Sequence, residues 1–203
     1  MKYRIWMFVL AAVFTGVEVA EAQVFTPSYL SPRSAGDYGI YINDGPGDFS
    51  VEGMMRIDLG IHDFGLRAGV ASGNDVRARA DSDSDGAHVL LGADIRSPFQ
   101  VQDVPIEFAF GAGAQGILGE ASQLGGTVGV TIGYTFVPGD FTFTPYVHPR
   151  LGIFGGERFD DGLHASFLGD IGVDFAFAPG VNFRLGFGLG NETANWGLGV
   201  SWR

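Results

Sequence analysis

Cysteine is missing from all 203 residues, lysine occurs once, as Lys2, and 12 basic residues face 23 acidic ones. Without cysteine there are no disulfides, no thiolate metal sites, no cysteine nucleophile and no lipid-modified N-terminal cysteine. A net charge of −11 offers no basic footprint for phosphates, which excludes nucleic acid as a partner. Only 17% of residues are charged, and no apolar run after Val17 approaches the ~20 residues of a membrane-spanning helix. Disorder is excluded in turn, because 18 Phe and a 46% apolar content supply a sizeable buried surface. The length fits one domain. Glycine is what the chain has in excess, with 33 copies.

The start of the chain has a different character from the rest. Lys2 and Arg4 are followed by an apolar run from Ile5 to Val17 and then by Ala20-Glu21-Ala22. Basic, apolar and A-x-A in that order read as a secretory signal peptide over residues 1–22, and the apolar run is too short to span a membrane. Its removal takes Lys2, Arg4, Glu18 and Glu21, leaving ten Arg against 21 acids and the same charge of −11. A lead over 23–36 follows, with Pro27 and Pro32 and no periodicity, and is expected on the periplasmic side.

From residue 37 to 203 the chain reads in steps of two. Val128, Val130, Ile132, Tyr134 and Phe136 share one face, with Thr127, Gly129, Thr131, Gly133 and Thr135 on the other. Such alternation is strand periodicity. Ten segments show it: 37–43, 49–61, 64–72, 87–96, 105–117, 127–137, 141–154, 163–177, 181–190 and 195–202. Eight strands is the alternative, should 37–43 and one neighbour lie outside the set. Connections of longer, mostly acidic sequence (44–48, 73–86, 118–126, 155–162, 191–194) alternate with mostly tight ones (62–63, 97–104, 138–140, 178–180). Long loops on one rim and short turns on the other are the organisation of an antiparallel up-and-down outer-membrane β-barrel, and an even strand count puts both mature termini on the periplasmic side.

A soluble barrel or sandwich would turn its apolar face inward and a charged face to water. Here the face opposite Phe, Leu, Ile and Val is mostly Gly, Ala, Ser and Thr. Inward Phe from ten strands would overfill a small barrel, and outward Gly would weaken strands without gain. Turned inside out, bulky groups meet lipid and small ones share a narrow lumen. The final strand agrees. Asn195, Gly197, Val200 and Trp202 resemble, position by position, the C-terminal assembly signal of bacterial outer-membrane β-barrel proteins, although Arg203 follows the aromatic. The chain thus resembles a small member of the outer-membrane β-barrel superfamily. The resemblance implies insertion by the barrel-assembly machinery into a membrane of lipid and lipopolysaccharide.

Three groups of residues bear on chemistry. Alternation points Glu52, Arg56, Asp58, Arg67, Asp94, Arg96, Glu107, Arg150, Asp170, Asp174 and Arg184 into the lumen, with Tyr146 and His148 beside them. Five Arg against six acids read as an ion-pair network filling the barrel. The competing reading is a polar pathway for ions or small solutes, although ten strands leave little bore. In the longest loop, Asp81, Asp83, Asp85 and Gly86 open like a calcium loop, but the twelfth position is Gly92 where a bidentate Glu is needed. A solvated acidic loop fits that gap better than a Ca2+ site, and Arg77 and Arg79 beside it suit lipopolysaccharide phosphates. His164-Ala165-Ser166 resembles the His-x-Ser pair of outer-membrane lipid A deacylases, with Phe167 where that family has Asn. Catalytic sets are recognised by geometry, not by proximity in sequence. The expectation is therefore a non-enzymatic barrel with a structural or binding role, then a narrow solute channel, then a lipid-modifying enzyme.

Overall fold

Alternating side chains commit the chain to extended backbone, and extended backbone in lipid must pair every N–H and C=O with a neighbour. The chain meets that demand by closing on itself. The computed structural model describes residues 27–33, 36–44, 49–72, 87–119, 122–157, 162–177, 180–190 and 193–203. Ten strands follow in order: β1 (Asp37–Asn43), β2 (Phe49–Asp58), β3 (Asp63–Ser72), β4 (Ala87–Gln100), β5 (Glu107–Leu118), β6 (Gln123–Gly133), β7 (Phe141–Gly156), β8 (His164–Phe177), β9 (Val181–Gly190) and β10 (Thr193–Trp202). Each pairs antiparallel with its sequence neighbours, and β1 pairs with β10 to close the barrel. The eight-strand alternative is thereby excluded.

The stagger of the wall can be read from its register. From His88, paired neighbours run through Ala71, Ser50, Asn43, Gly197, Gly186, Gly172, Tyr146, Gly133 and Glu107. The row returns to β4 at Gln100, twelve residues farther along. A stagger of that size tilts the strands by about 40° from the barrel axis. Ten tilted strands ~4.8 Å apart then enclose a backbone wall roughly 20 Å across. A chain running along the axis would stand ~10 Å from the wall on every side, the separation of packed β layers.

Several strand ends depart from the expected bounds, β2 stopping at Asp58 and β6 at Gly133 among them, and two departures have a clear local reason. Strand β4 continues through Ser97-Pro98, which reads as a turn, because beyond the Asp63–Arg96 pair only β5 lies beside it. Proline is tolerated on such an unpaired side. Phe99 then stacks on Phe108 at 5.4 Å across that pair. Strand β6 starts at Gln123, inside the segment expected to be loop. Its Gly125 lies under the Phe154 ring, where any Cβ would collide, so this glycine serves packing and not a turn.

Outward positions form an apolar belt. Ile40, Val51, Met55, Leu66, Val70, Leu91, Val147, Leu151, Phe183, Leu185 and Leu198 are all exposed. Exposed apolar surface on this scale around a whole circumference is a surface for lipid. The rim that carries the β2–β3, β4–β5, β6–β7 and β8–β9 turns, here the first rim, also carries a collar of aromatic rings. Tyr134, Phe136, Phe141, Phe143, Phe175, Phe177 and Phe183 run from contact to contact along it, with Tyr38 against Trp202 and Phe99 against Phe108. Inward positions carry the polar residues. The chain has the architecture of a transmembrane β-barrel.

Candidate functional site

The inner face of the wall carries the arginines, and each is met by a carboxylate from another strand. Near the first rim, Arg56 on β2 pairs with Asp63 on β3 and reaches Asp94 on β4 at 2.8 Å. Arg96 on β4 shares the same Asp63 at 2.9 Å. Across the closing seam, Arg184 on β9 pairs with Asp37 on β1 at 2.5 Å and Asp174 on β8 at 3.5 Å. It also donates to the Tyr41 hydroxyl at 2.6 Å. At mid-depth Arg67 pairs with Glu52, which accepts from Asn43 at 2.6 Å and Ser50 at 2.9 Å. On the opposite wall Asp170 takes Arg150 at 3.2 Å and His148 at 3.3 Å. Burying charges singly is costly, and this pairing by alternating sign offsets that cost.

The expected network is therefore assembled for Glu52, Arg56, Arg67, Asp94, Arg96, Arg150, Asp170, Asp174 and Arg184. Two members stand apart. Asp58 is exposed on the first rim, where its carboxylate accepts from the Gly60 amide at 2.7 Å and shapes the β2–β3 turn. Strand β2 ends at that residue, so alternation stops governing its side chain. We expect Asp58→Asn to leave the urea unfolding midpoint unchanged, as at an ordinary surface position. Glu107 is half-buried and accepts from Thr135 at 2.9 Å, as part of a hydroxyl chain with Thr144.

The lead corrects the sequence reading most. It was expected on the periplasmic side, yet Pro27, Ser28, Tyr29, Leu30, Ser31 and Pro32 are buried inside the barrel. Arg33 emerges exposed at the first rim, 3.4 Å from the Thr142 hydroxyl. The wall holds this segment largely by its main chain. Arg67 donates to the Pro27 carbonyl at 3.0 Å, Thr131 to the Leu30 carbonyl at 2.8 Å, and Arg96 to the Ser31 carbonyl. Three side chains add to this, the first being Ser31, which hydrogen-bonds Asp174. Ser28 donates to Asp170 at 2.6 Å, and Tyr29 donates to Asn43, with its ring on Tyr41 at 4.5 Å and under Arg67 at 5.4 Å.

Glycines in the register row described above make the space. A Cβ on Gly186 would stand 2.6 Å from the Pro27 side chain, and one on Gly133 would stand 2.8 Å from Pro32. On Gly197 it would collide with Tyr29 and Asn43. Alternation alone shows that the inner face is small. It does not show that a segment without periodicity fills the room.

Two arrangements resemble catalytic sets and differ from them in geometry. Ser28, His148 and Asp170 meet, but the Ser28 hydroxyl (2.8 Å) and the Asp170 carboxylate both contact the same ring nitrogen, Nδ1. A nucleophile and its orienting acid must take opposite ring nitrogens. Here Nε2 is buried and makes no hydrogen bond. Ser166, at the far end of β8, is buried with a hydroxyl that makes no hydrogen bond, so it is not prepared by His164. Asp81, Asp83 and Asp85 lie outside the described residues, as do residues 1–22 and Arg77 and Arg79. No three His, Asp or Glu among the described residues form a metal-holding group. The terminal motif lies on β10, with Asn195 and Gly197 inward and Trp202 packed edge-on against Tyr38 at 5.1 Å.

No protein family's model matches the chain, and no curated protein matches it. Among solved structures it is similar to a de novo designed transmembrane β-barrel, at 14% identity, over 85% of this chain and 98% of that one, with a TM-score of 0.36. It is also similar to KdgM porin in complex with disordered oligogalacturonate, at 14% identity over 83% of this chain and 98% of that one, TM-score 0.39. KdgM porin alone gives 12% identity over the same shares, TM-score 0.36.

Proposed function

We propose that this protein is a non-enzymatic outer-membrane β-barrel with a closed lumen and a structural or binding role. Its acidic second-rim connections face outward, its partners in the bilayer are lipid and lipopolysaccharide, and barrel-assembly machinery inserts it. The observation that carries this reading is the burial of Pro27–Pro32 on the axis of a wall whose charges are already paired. Ions would have to displace a hydrogen-bonded segment to pass. The Ser28–His148–Asp170 geometry supports a non-catalytic interior.

The test has two arms. The protein should fractionate with outer membranes and migrate in a heat-modifiable way on gels. In planar bilayers the full-length protein should give no steady conductance. A soluble periplasmic β-protein would overturn the membrane assignment, and well-defined channels from the wild type would overturn the closed lumen.

A further inference from the structure

The wall is complete without the lead. All ten strands pair in one closed register, and residues 27–32 take no part in that pairing. These residues sit inside the wall as a ligand sits in a site: bent at Tyr29, whose φ of 56° is left-handed, flanked by Pro27 and Pro32, and recognised through three carbonyls and three hydroxyls. The wall groups that hold them are also secured elsewhere. Arg67 keeps Glu52, and Arg96 keeps Asp63. Asp170 keeps Arg150 and His148, while Asn43 keeps Glu52 and Ser50. Withdrawal of the segment would leave no wall charge without its partner, and the Thr131 hydroxyl would turn to water. The segment can therefore leave without stranding a charge, which in a narrow bore would be strongly penalised.

We propose that the lumen is a binding site for a proline-flanked peptide with a left-handed bend at its tyrosine, and that the chain's own Pro27–Pro32 segment is its resident, detachable occupant. The inference deepens the closed-barrel reading and rests on it. With the segment gone, the recesses at Gly133, Gly186 and Gly197 join into a polar bore. The paired wall arginines and carboxylates then line a path for small ions of either sign. Specificity for the peptide comes from Tyr29, whose ring lies between Tyr41 and Arg67 while its hydroxyl reaches Asn43. It comes as well from the Ser28 hydroxyl on Asp170. The remaining contacts read the main chain, through the Arg67, Thr131 and Arg96 side chains.

The experiment uses the full chain beside a variant lacking residues 27–32, both checked for heat-modifiable folding. In planar bilayers the wild type should stay silent and the deletion variant should conduct. A synthetic peptide spanning Thr26 to Arg33, at about ten times its Kd, should close roughly nine channels in ten. The same peptide with Tyr29→Ala should close far fewer. A full-length variant, Gly186→Val, places side-chain volume where Pro27 sits and should conduct without any deletion. A folded deletion variant that is silent would overturn the peptide site while leaving the closed barrel standing. Channels from the wild type itself would instead overturn the closed barrel. A deletion variant that folds only when the peptide is supplied would support the site. One that the peptide cannot rescue would overturn it, since the segment would then be part of the folding wall.

Discussion

Replacing Arg184 with alanine is expected to destabilise the barrel by about 3–5 kcal/mol, the scale for removing one partner of a buried charge cluster. Arg184 is buried on β9, while Asp37 and Tyr41 belong to β1, two strands away around the wall. The strand between them, β10, presents Gly199 to both, in register with Arg184 on one side and Tyr41 on the other. A Cβ at Gly199 would collide with the Tyr41 ring. The guanidinium thus reaches over a glycine gap and ties the first strand to the ninth, across the seam where the barrel closes. Its loss leaves Asp37 with the Ser201 hydroxyl at 3.0 Å, and takes from Asp174 its ion-pair partner, leaving the Ser31 hydroxyl and the more distant Arg96. Urea titration of the protein in lipid vesicles measures the effect. Arg184→Lys should recover part of it, because a single ammonium restores charge but not the fork of donors that meets several acceptors at once. An alanine variant as stable as wild type would show that the seam does not depend on this residue.

The adjacent position should respond to arginine in the opposite sense. Leu185 is 39% exposed on the outer face near the middle of β9, beside Val173 and Leu198. Leu185→Arg should cost roughly 2–4 kcal/mol, the penalty for a cation facing hydrocarbon near the bilayer midplane. At position 184 an arginine is a structural tie, and at position 185 it would stand in hydrocarbon. Folding into vesicles against urea gives the comparison directly. Unchanged stability of the Leu185→Arg protein would show that this face does not meet lipid.

Periodicity made the wall legible almost strand by strand. Seven of the charged lumen positions read from alternation are buried, and they come from β2, β3, β4, β7, β8 and β9. Parity was also sufficient, in principle, for residues that sequence reading passed over. Asp37 and Tyr41 share the inward face of β1 with Asn43, and Asp63 shares that of β3 with Arg67. Asp63 was hidden by its neighbour: His62-Asp63 looks like a two-residue turn, and only the start of β3 at Asp63 turns its carboxylate inward to Arg56 and Arg96. The lead was not legible by any periodic signal. An axial segment contacts the wall all around, so it has no two-sided pattern, and its polarity resembles that of a linker. Its trace lay instead in the wall, where Gly133, Gly186 and Gly197 are smaller than a self-filled lumen needs.

The aromatic collar has a consequence for how the barrel sits in its bilayer. Tyr38, Tyr134 and Trp202 in the collar have polar tips on apolar bodies and settle at the headgroup level of the first rim. At the opposite end the described outward residues include Leu124, Ile153 and Leu163, exposed and aliphatic, with Phe49, Phe187 and Trp196 among the aromatics there. Aliphatic side chains have no comparable preference for one depth. Among the described residues three polar-tipped rings hold the first rim and Trp196 the second, so the barrel is held more firmly at one leaflet than at the other. A change in hydrocarbon thickness, at a cost of fractions of a kcal/mol per Å of mismatch, would be taken up at the second rim. The first-rim turns would keep their height, and with them the point where Arg33 leaves the lumen.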